Sequence, residues 1–330
     1  MAAITMLLPD HNYIKADSLE QCLALLRDNG EKSQLVAGGT DVIFNMRLKL
    51  FDPEVVVSIR GLEELQQVEA LDDGSLRIGA GARLADLAED PLINERYPAF
   101  AESIRAVAST HIRNMATLGG NICLHTRCSY TNNSEQWREG LKTCYKTDGA
   151  ICHVIATSPK CHAINNADTP VALIMLGAVL TIRNADGSRE LPIAQFYTDD
   201  GMDNTGLKPD EVVTHVTIPP VTDRTTFLKL APRQGMDFSI AAVAARCDGQ
   251  GKEVSNVTIV LGSVTTHPIM LDKPARIVSE QGLTDEAIAL AVEHVREELG
   301  ELTNLFSRTV YKKRMANVMV KRALVALREQ

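Results

Sequence analysis

Four cysteines, Cys128, Cys144, Cys152 and Cys161, fall in one short polar stretch that begins just after a glycine-rich turn, Ala116-Thr117-Leu118-Gly119-Gly120-Asn121. Thiolates are the ligands that soft metal centres select, and four of them complete the coordination of one iron–sulfur cluster. The same four could close a tetrahedral zinc site. Zinc knuckles, however, usually carry a pair of cysteines separated by roughly two to four residues. No pair among these four is that tight, and Cys123 with Cys128 comes closest. His125, His153 and His162 lie nearby and could replace a ligand, although a hydrogen-bonding or surface role is commoner for histidine. The chemistry expected is electron transfer through an iron–sulfur cluster on Cys128, Cys144, Cys152 and Cys161.

A second glycine-rich turn, Leu35-Val36-Ala37-Gly38-Gly39-Thr40-Asp41, resembles the first. Paired glycines let backbone N–H groups face a pyrophosphate with no Cβ in the way, and Thr, Asp and Asn can then bind phosphate, ribose or ribityl oxygens. Either turn alone is also explained by plain chain reversal. Neither has the spaced glycines of a Rossmann fingerprint or the lysine of a P-loop, which disfavours both of those nucleotide folds.

These residues need elements to position them. Ser18-Leu19-Glu20-Gln21 has the form of a capping box, and Leu19, Cys22, Leu23, Leu25 and Leu26 follow at helical spacing until Gly30. Residues 34–37 read as a strand stopped by Gly38-Gly39. Further strands are expected at 54–59 and 75–80, a short helix at 84–88, a buried helix at 170–176 and a strand at 178–183 before an Asn184–Gly187 turn. After Pro219-Pro220 the pattern changes to antiparallel strands at 226–231 and 254–261, then to helices at 285–299 and 310–328. On the last helix Lys312, Lys313, Arg314, Lys321 and Arg322 alternate with Met315, Val318, Met319, Leu324 and Leu327, which reads as a solvated face opposite a core face. The expected class is α+β, with an N-terminal domain over 1–222, a cysteine-rich insert over 123–162 and a C-terminal domain of antiparallel sheet plus helices over 223–330.

With 330 residues, 45% of them hydrophobic, the chain can fill more than one core. A net charge of −8 argues against a nucleic-acid partner, because such affinity rests on Lys and Arg neutralising phosphates. No apolar run approaches the roughly 20 residues that cross a bilayer, and Met1-Ala2-Ala3-Ile4-Thr5 has no basic-then-apolar leader pattern. A cytoplasmic protein without membrane insertion is expected. Five of the seven cysteines lie between 123 and 161, so metal binding is a better reading than disulfides, with Cys22 and Cys247 as core residues.

The chain resembles the FAD-binding medium subunits of the molybdenum hydroxylases, the xanthine dehydrogenase and carbon monoxide dehydrogenase family. The likeness runs through both glycine turns, Ile112-Arg113-Asn114, Asp168-Thr169-Pro170, Leu207-Lys208-Pro209-Asp210-Glu211, Ile218-Pro219, and Lys229 followed by Arg233 and Asp237. It implies a two-lobed FAD-binding fold of the PCMH type in which the two turns clasp the FAD pyrophosphate, Asp168 contacts the flavin nucleotide and Lys229 lies near the isoalloxazine. Asp41 and Asp168 would then bind cofactor rather than act as acid and base, and no catalytic residue is expected here. Most such subunits lack the roughly forty residues of 123–162; an insert with four similarly spaced cysteines resembles the 4-hydroxybenzoyl-CoA reductase branch, whose insert holds a 4Fe-4S cluster. Cys123 is expected to be a buried thiol on a strand near the flavin. Trp137, Tyr130 and Tyr145 are expected to pack the insert or shield its cluster. By the same resemblance the partners are a molybdopterin-binding large subunit and a 2Fe-2S small subunit in a dimer of heterotrimers. A ferredoxin-like donor would feed the reductive dehydroxylation of an aromatic acyl-CoA; a molybdenum hydroxylase of the oxidising kind, or a docking subunit with structural zinc, are the competing expectations.

Overall fold

In the computed structural model, which describes residues 7–221, 223–233, 235–299 and 309–330, the chain builds three sheets. The segment Met1–Thr5 lies outside the described residues. Strands β1 (Asn12–Lys15), β2 (Ser33–Val36) and β3 (Val55–Ser58) form a parallel sheet with β3 in the middle. Parallel strands need crossover connections, and helix Leu19–Asn29 carries the chain from β1 to β2 on the far side of β3. Ser18 caps that helix by accepting from the Gln21 N–H at 3.1 Å. The Gln21 side chain reaches back to the Asp17 N–H at 2.6 Å, one residue earlier than a capping box requires. Gly30 ends the helix with φ 51°. Leu19, Cys22, Leu23 and Leu26 cover one face of the sheet, and Met46 of helix Val42–Arg47 covers the other with Val36 and Val56.

The second sheet is antiparallel, in the order β4 (Val68–Ala70), β5 (Leu76–Gly79), β8 (Val212–Ile218), β6 (Val179–Asn184), β7 (Gly187–Pro192). The third is also antiparallel and joins β9 (Arg224–Leu230), β10 (Ala241–Gln250), β11 (Glu253–Gly262) and β12 (Ile269–Met270) in sequence order. Strand β10 was not foreseen, because a run of alanines carries helical rather than strand propensity. Its residues alternate between two cores: Ala242 and Ala244 pack with the N-terminal core, whereas Ala241, Val243, Ala245 and Cys247 pack with the C-terminal helices. A central strand covered on both faces has room for small side chains, which is why alanine serves there. Helix Thr169–Met175 is buried at every residue and lies against β10 and β11. Helices Pro91–Arg96, Pro98–Arg105 and Asp272–Gln281 and strand β1 were likewise unforeseen.

The C-terminal helix, Thr309–Glu329, corrects one expectation. Lys312 is buried rather than solvated, with Nζ donating to the Ser263 carbonyl at 3.0 Å, and burial lowers its pKa to about 8. No helix among the described residues is long and apolar enough to cross a membrane.

The cysteine-rich stretch is a lobe with a closed neck. Arg127 and Ile164 exchange both backbone hydrogen bonds at 2.8 Å, so the chain leaves and re-enters the body at one point. Within it only Glu135–Glu139 and the turn Tyr145–Thr147 are helical. Leu173 is fully buried in the helix shared by both halves of the molecule. Leu173→Ala should cost about 2–5 kcal/mol, seen as a lower denaturant midpoint at unchanged slope.

Candidate functional site

The two glycine turns meet. A Cβ on Gly38 would lie 1.8 Å from the Met115 carbonyl oxygen, and one on Gly119 would lie 2.8 Å from the Ala80 Cβ. Gly39 takes φ +72°, the left-handed region that glycine enters without penalty. Thr117 Oγ1 accepts from the Gly120 N–H at 3.2 Å, and the Gly119 N–H is held by the Ala80 carbonyl at 2.7 Å. Between the turns opens a cavity of about 1090 Å³. Leu35, Ala37, Gly38, Gly39, Thr40, Asp41, Ala116, Thr117, Gly119, Gly120, Asn121 and Asp168 all line it. Its far wall comes from Lys208, Glu211, Arg233, Asp237 and Phe238.

Two of the expected site residues stand elsewhere. Val36 faces away and packs with Met46 and Val56, since successive strand residues point to opposite faces. Lys229 is behind the wall: its Nζ donates to Asp168 Oδ2 at 2.7 Å and to the Ala106 carbonyl at 2.8 Å. Asp168 also accepts from Ser239 Oγ at 2.8 Å, and burial raises its pKa against the pull of Lys229. Asn121 is engaged as well, its Oδ1 accepting from Thr169 Oγ1 at 2.7 Å. Asp41 is ion-paired with Arg127 and accepts from Asn45 Nδ2 at 3.0 Å; burial raises its pKa while Arg127 lowers it. Neither carboxylate is free to take a substrate proton.

Arg127 and His125 line the cavity and Lys146 backs them; Arg127 and Lys146 were missed and His125 was named only as a possible metal ligand, because nothing local in the sequence joins residues 41, 125, 127 and 146. Lys146 Nζ lies 2.8 Å from His125 Nε2 and donates to the Thr126 carbonyl at 3.0 Å. Burial, then Lys146 and Arg127, push the His125 pKa down to about 3, so the ring is neutral and accepts from the ammonium. Lys146 is lowered to about 8 by burial while Cys161, Cys128 and Asp41 pull it up. One cation is thus felt on the flavin side and on the thiol side.

Cys128, Cys144, Cys152 and Cys161 are all buried. Cys128 senses the charge of Cys144 and Cys152, and Cys161 senses Cys152 and Cys128. Burial pushes Cys128 up to about 11 and Cys161 to about 12. Hydrogen-bond donors reach three of the sulfurs: the Tyr130 N–H at Cys128, Thr147 Oγ1 at 3.7 Å from Cys144, and the Ala163 N–H at 3.4 Å from Cys161. Among the described residues no three His, Cys, Asp or Glu side chains stand close enough to hold a metal ion. Cys123 lies apart as the cap of the short helix Leu118–Ile122, not on a strand; it lines the cavity and burial raises it to about 12. His125, His153 and His162 face Lys146, the Lys142 carbonyl and Ser158 Oγ respectively. Tyr130 and Tyr145 pack with Cys128 and Cys161, whereas Trp137 is 46% exposed.

A family model described as the FAD binding domain in molybdopterin dehydrogenase matches residues 9–221, and one described as the CO dehydrogenase flavoprotein C-terminal domain matches 226–327. The chain belongs to this family of FAD-binding flavoproteins. Among curated relatives, the aldehyde oxidoreductase FAD-binding subunit PaoB of Escherichia coli is 30% identical over 91% of this chain and 94% of its own length. The carbon monoxide dehydrogenase medium chain of Hydrogenophaga pseudoflava is 25% identical over 97% and 98%. The same fold appears in the solved carbon monoxide dehydrogenase of H. pseudoflava, with TM-score 0.81 at 24% identity over 97% and 98% of the two chains. Quinoline 2-oxidoreductase of Pseudomonas putida gives 0.80 at 21% over 98% and 98%.

The cavity fits FAD on its own evidence, since it is large, mostly apolar and flanked by two turns whose close backbone approach leaves no room for a Cβ at Gly38. Gly38→Ala should cost about 1–3 kcal/mol of stability by overpacking and lower FAD affinity at least ~10-fold by moving a turn, read as flavin content and flavin fluorescence of the purified complex. His125 makes a second prediction. Its pKa is depressed on folding, so its contribution is present above about 6.5 and is lost as pH falls toward 3. Between pH 7 and pH 5 the protein should lose on the order of 2 kcal/mol more stability than His125→Gln, measured by denaturant titration at both pH values.

Proposed function

We propose that the chain is an electron-relaying subunit of a heteromeric molybdenum enzyme, holding FAD between its two glycine turns and a 4Fe-4S cluster on Cys128, Cys144, Cys152 and Cys161. The observation that carries the reading is the lobe itself. Its four cysteines are all buried, three of their sulfurs receive hydrogen bonds, and the lobe's neck abuts the flavin cavity. Donors at sulfur and exclusion of water are the features with which proteins tune such clusters.

FAD, when bound, exchanges electrons singly or in pairs, and a 4Fe-4S cluster, when bound, exchanges them singly. The residues of this chain bind and orient. The Gly38-Gly39 turn would receive the pyrophosphate, Lys229 and Ser239 hold Asp168 in place at the cavity wall, and Tyr130 and Tyr145 pack over the thiols. The reacting substrate would meet a molybdopterin-binding large subunit, with a 2Fe-2S small subunit between.

The aldehyde oxidoreductase and carbon monoxide dehydrogenase relatives support the direction in which a substrate is oxidised at the partner's molybdenum centre and electrons leave through this chain. The opposite direction, in which a ferredoxin-like donor feeds reduction of 4-hydroxybenzoyl-CoA or a similar aromatic acyl-CoA, draws its support from the four-cysteine insert. The complex should be purified anaerobically and assayed for FAD, iron, sulfide and zinc, with wild type beside Cys144→Ser. Wild type is expected to hold about four irons and four sulfides per FAD beyond those of the 2Fe-2S subunit, and Cys144→Ser to lose that increment. Zinc in place of iron would sink the cluster. Turnover of aldehydes with an artificial acceptor, against turnover of the acyl-CoA with reduced ferredoxin, then decides the direction.

A further inference from the structure

The anion-binding turn at Gly38-Gly39-Thr40 is followed directly by a carboxylate, Asp41, that lines the same cavity. A pyrophosphate placed on those N–H groups would be repelled by that charge unless something neutralised it. Arg127 does. Its guanidinium pairs with Asp41, approaches Asn45 Oδ1 at 3.4 Å and lies 5.4 Å from the Phe44 ring centre and 5.6 Å from that of Phe238. The two paired side chains are 8% and 18% exposed, so solvent screens them little. Asn45 also donates to Asp41, which fixes the carboxylate from the helix side.

The backbone of Arg127 closes the neck of the thiol lobe against Ile164, and Cys128 follows it in the chain. Other parts of the lobe grip the segments around the cavity: Arg138 donates to the Leu48 carbonyl at 2.6 Å just after helix Val42–Arg47, which Asp41 precedes, and the Cys161 N–H is held by Asp200 Oδ1 at 3.2 Å near the cavity residue Met202. The guanidinium that neutralises the turn is therefore placed by the thiol lobe and not by the sheet that carries the turn.

We propose that Arg127 is a positioning residue for the flavin, neutralising Asp41 so that the Gly38-Gly39 turn accepts the anionic half of the cofactor. The inference rests on the proposed seat of FAD between the two turns. It makes the lobe a condition of flavin affinity, apart from any electron it carries.

The test measures the FAD dissociation constant of the purified complex by flavin fluorescence, in Arg127→Met, Arg127→Lys and Arg127→Met/Asp41→Asn beside wild type and Gly38→Ala. Arg127→Met should weaken FAD at least ~10-fold, as expected for an uncompensated, poorly screened charge beside a phosphate. Arg127→Lys, which keeps the charge, should lose less. The double variant should bind more tightly than Arg127→Met, because it removes the repelling carboxylate as well; a purely structural arginine would show no such rescue. Wild-type affinity in Arg127→Met, or a double variant as weak as the single, overturns the proposal. If Arg127→Met does not accumulate folded, the double variant still decides: flavin-loaded complex supports the charge argument and flavin-free complex refutes it. A Gly38→Ala protein that binds FAD like wild type would instead refute the seat itself.

Discussion

Everything at the site depends on how closely two stretches of backbone approach each other. The Met115 carbonyl occupies the place where a side chain on Gly38 would begin, so the turn after β2 and the turn before helix Leu118–Ile122 touch with nothing between them. That contact brings residues almost eighty positions apart to one cavity. The same economy recurs at Gly119, pressed against Ala80. Hydrogen bonds from Leu84 to the Ala116 carbonyl and from Leu118 to the Ala82 carbonyl then fix the second turn to the antiparallel sheet.

Around this contact the problem is charge. Asp41 and Asp168 both line the cavity, and a buried carboxylate is costly unless it is paired and hydrogen-bonded. The fold answers from two sources. Asp168 is held by Lys229 and Ser239, which come from the C-terminal part of the chain, and Asp41 by Arg127, which comes from the neck of the thiol lobe. The flavin cavity is thus completed by parts of the molecule that lie outside both glycine turns. Lys146 extends the pattern, because its ammonium is felt by Asp41 on one side and by Cys128 and Cys161 on the other.

Much of this was legible in the residues. The Ser18 cap, the strand stopped by Gly38-Gly39 and the apolar run at 170–176 are local signals, and the structure has a helix, a turn and a helix at those places. Strand β10 was not legible, because alanines signal helix unless the sheet's two covered faces are already known. Val36 was grouped with its neighbours in the turn, though the strand's alternation sends it to the other face. Lys229 lies near the site but acts through Asp168, and Lys312 is buried on a face that reads as solvated. Arg127, His125 and Lys146 act across separations that no window of sequence covers, so only tertiary structure gathers them.

The most direct measurement is an iron-edge anomalous scattering map from crystals of the intact complex, read together with the flavin density. The account predicts iron peaks enclosed by the sulfurs of Cys128, Cys144, Cys152 and Cys161, and FAD lying between Gly38-Gly39 and Gly119-Gly120. Zinc scattering at the thiols, or flavin density outside that cavity, would contradict it.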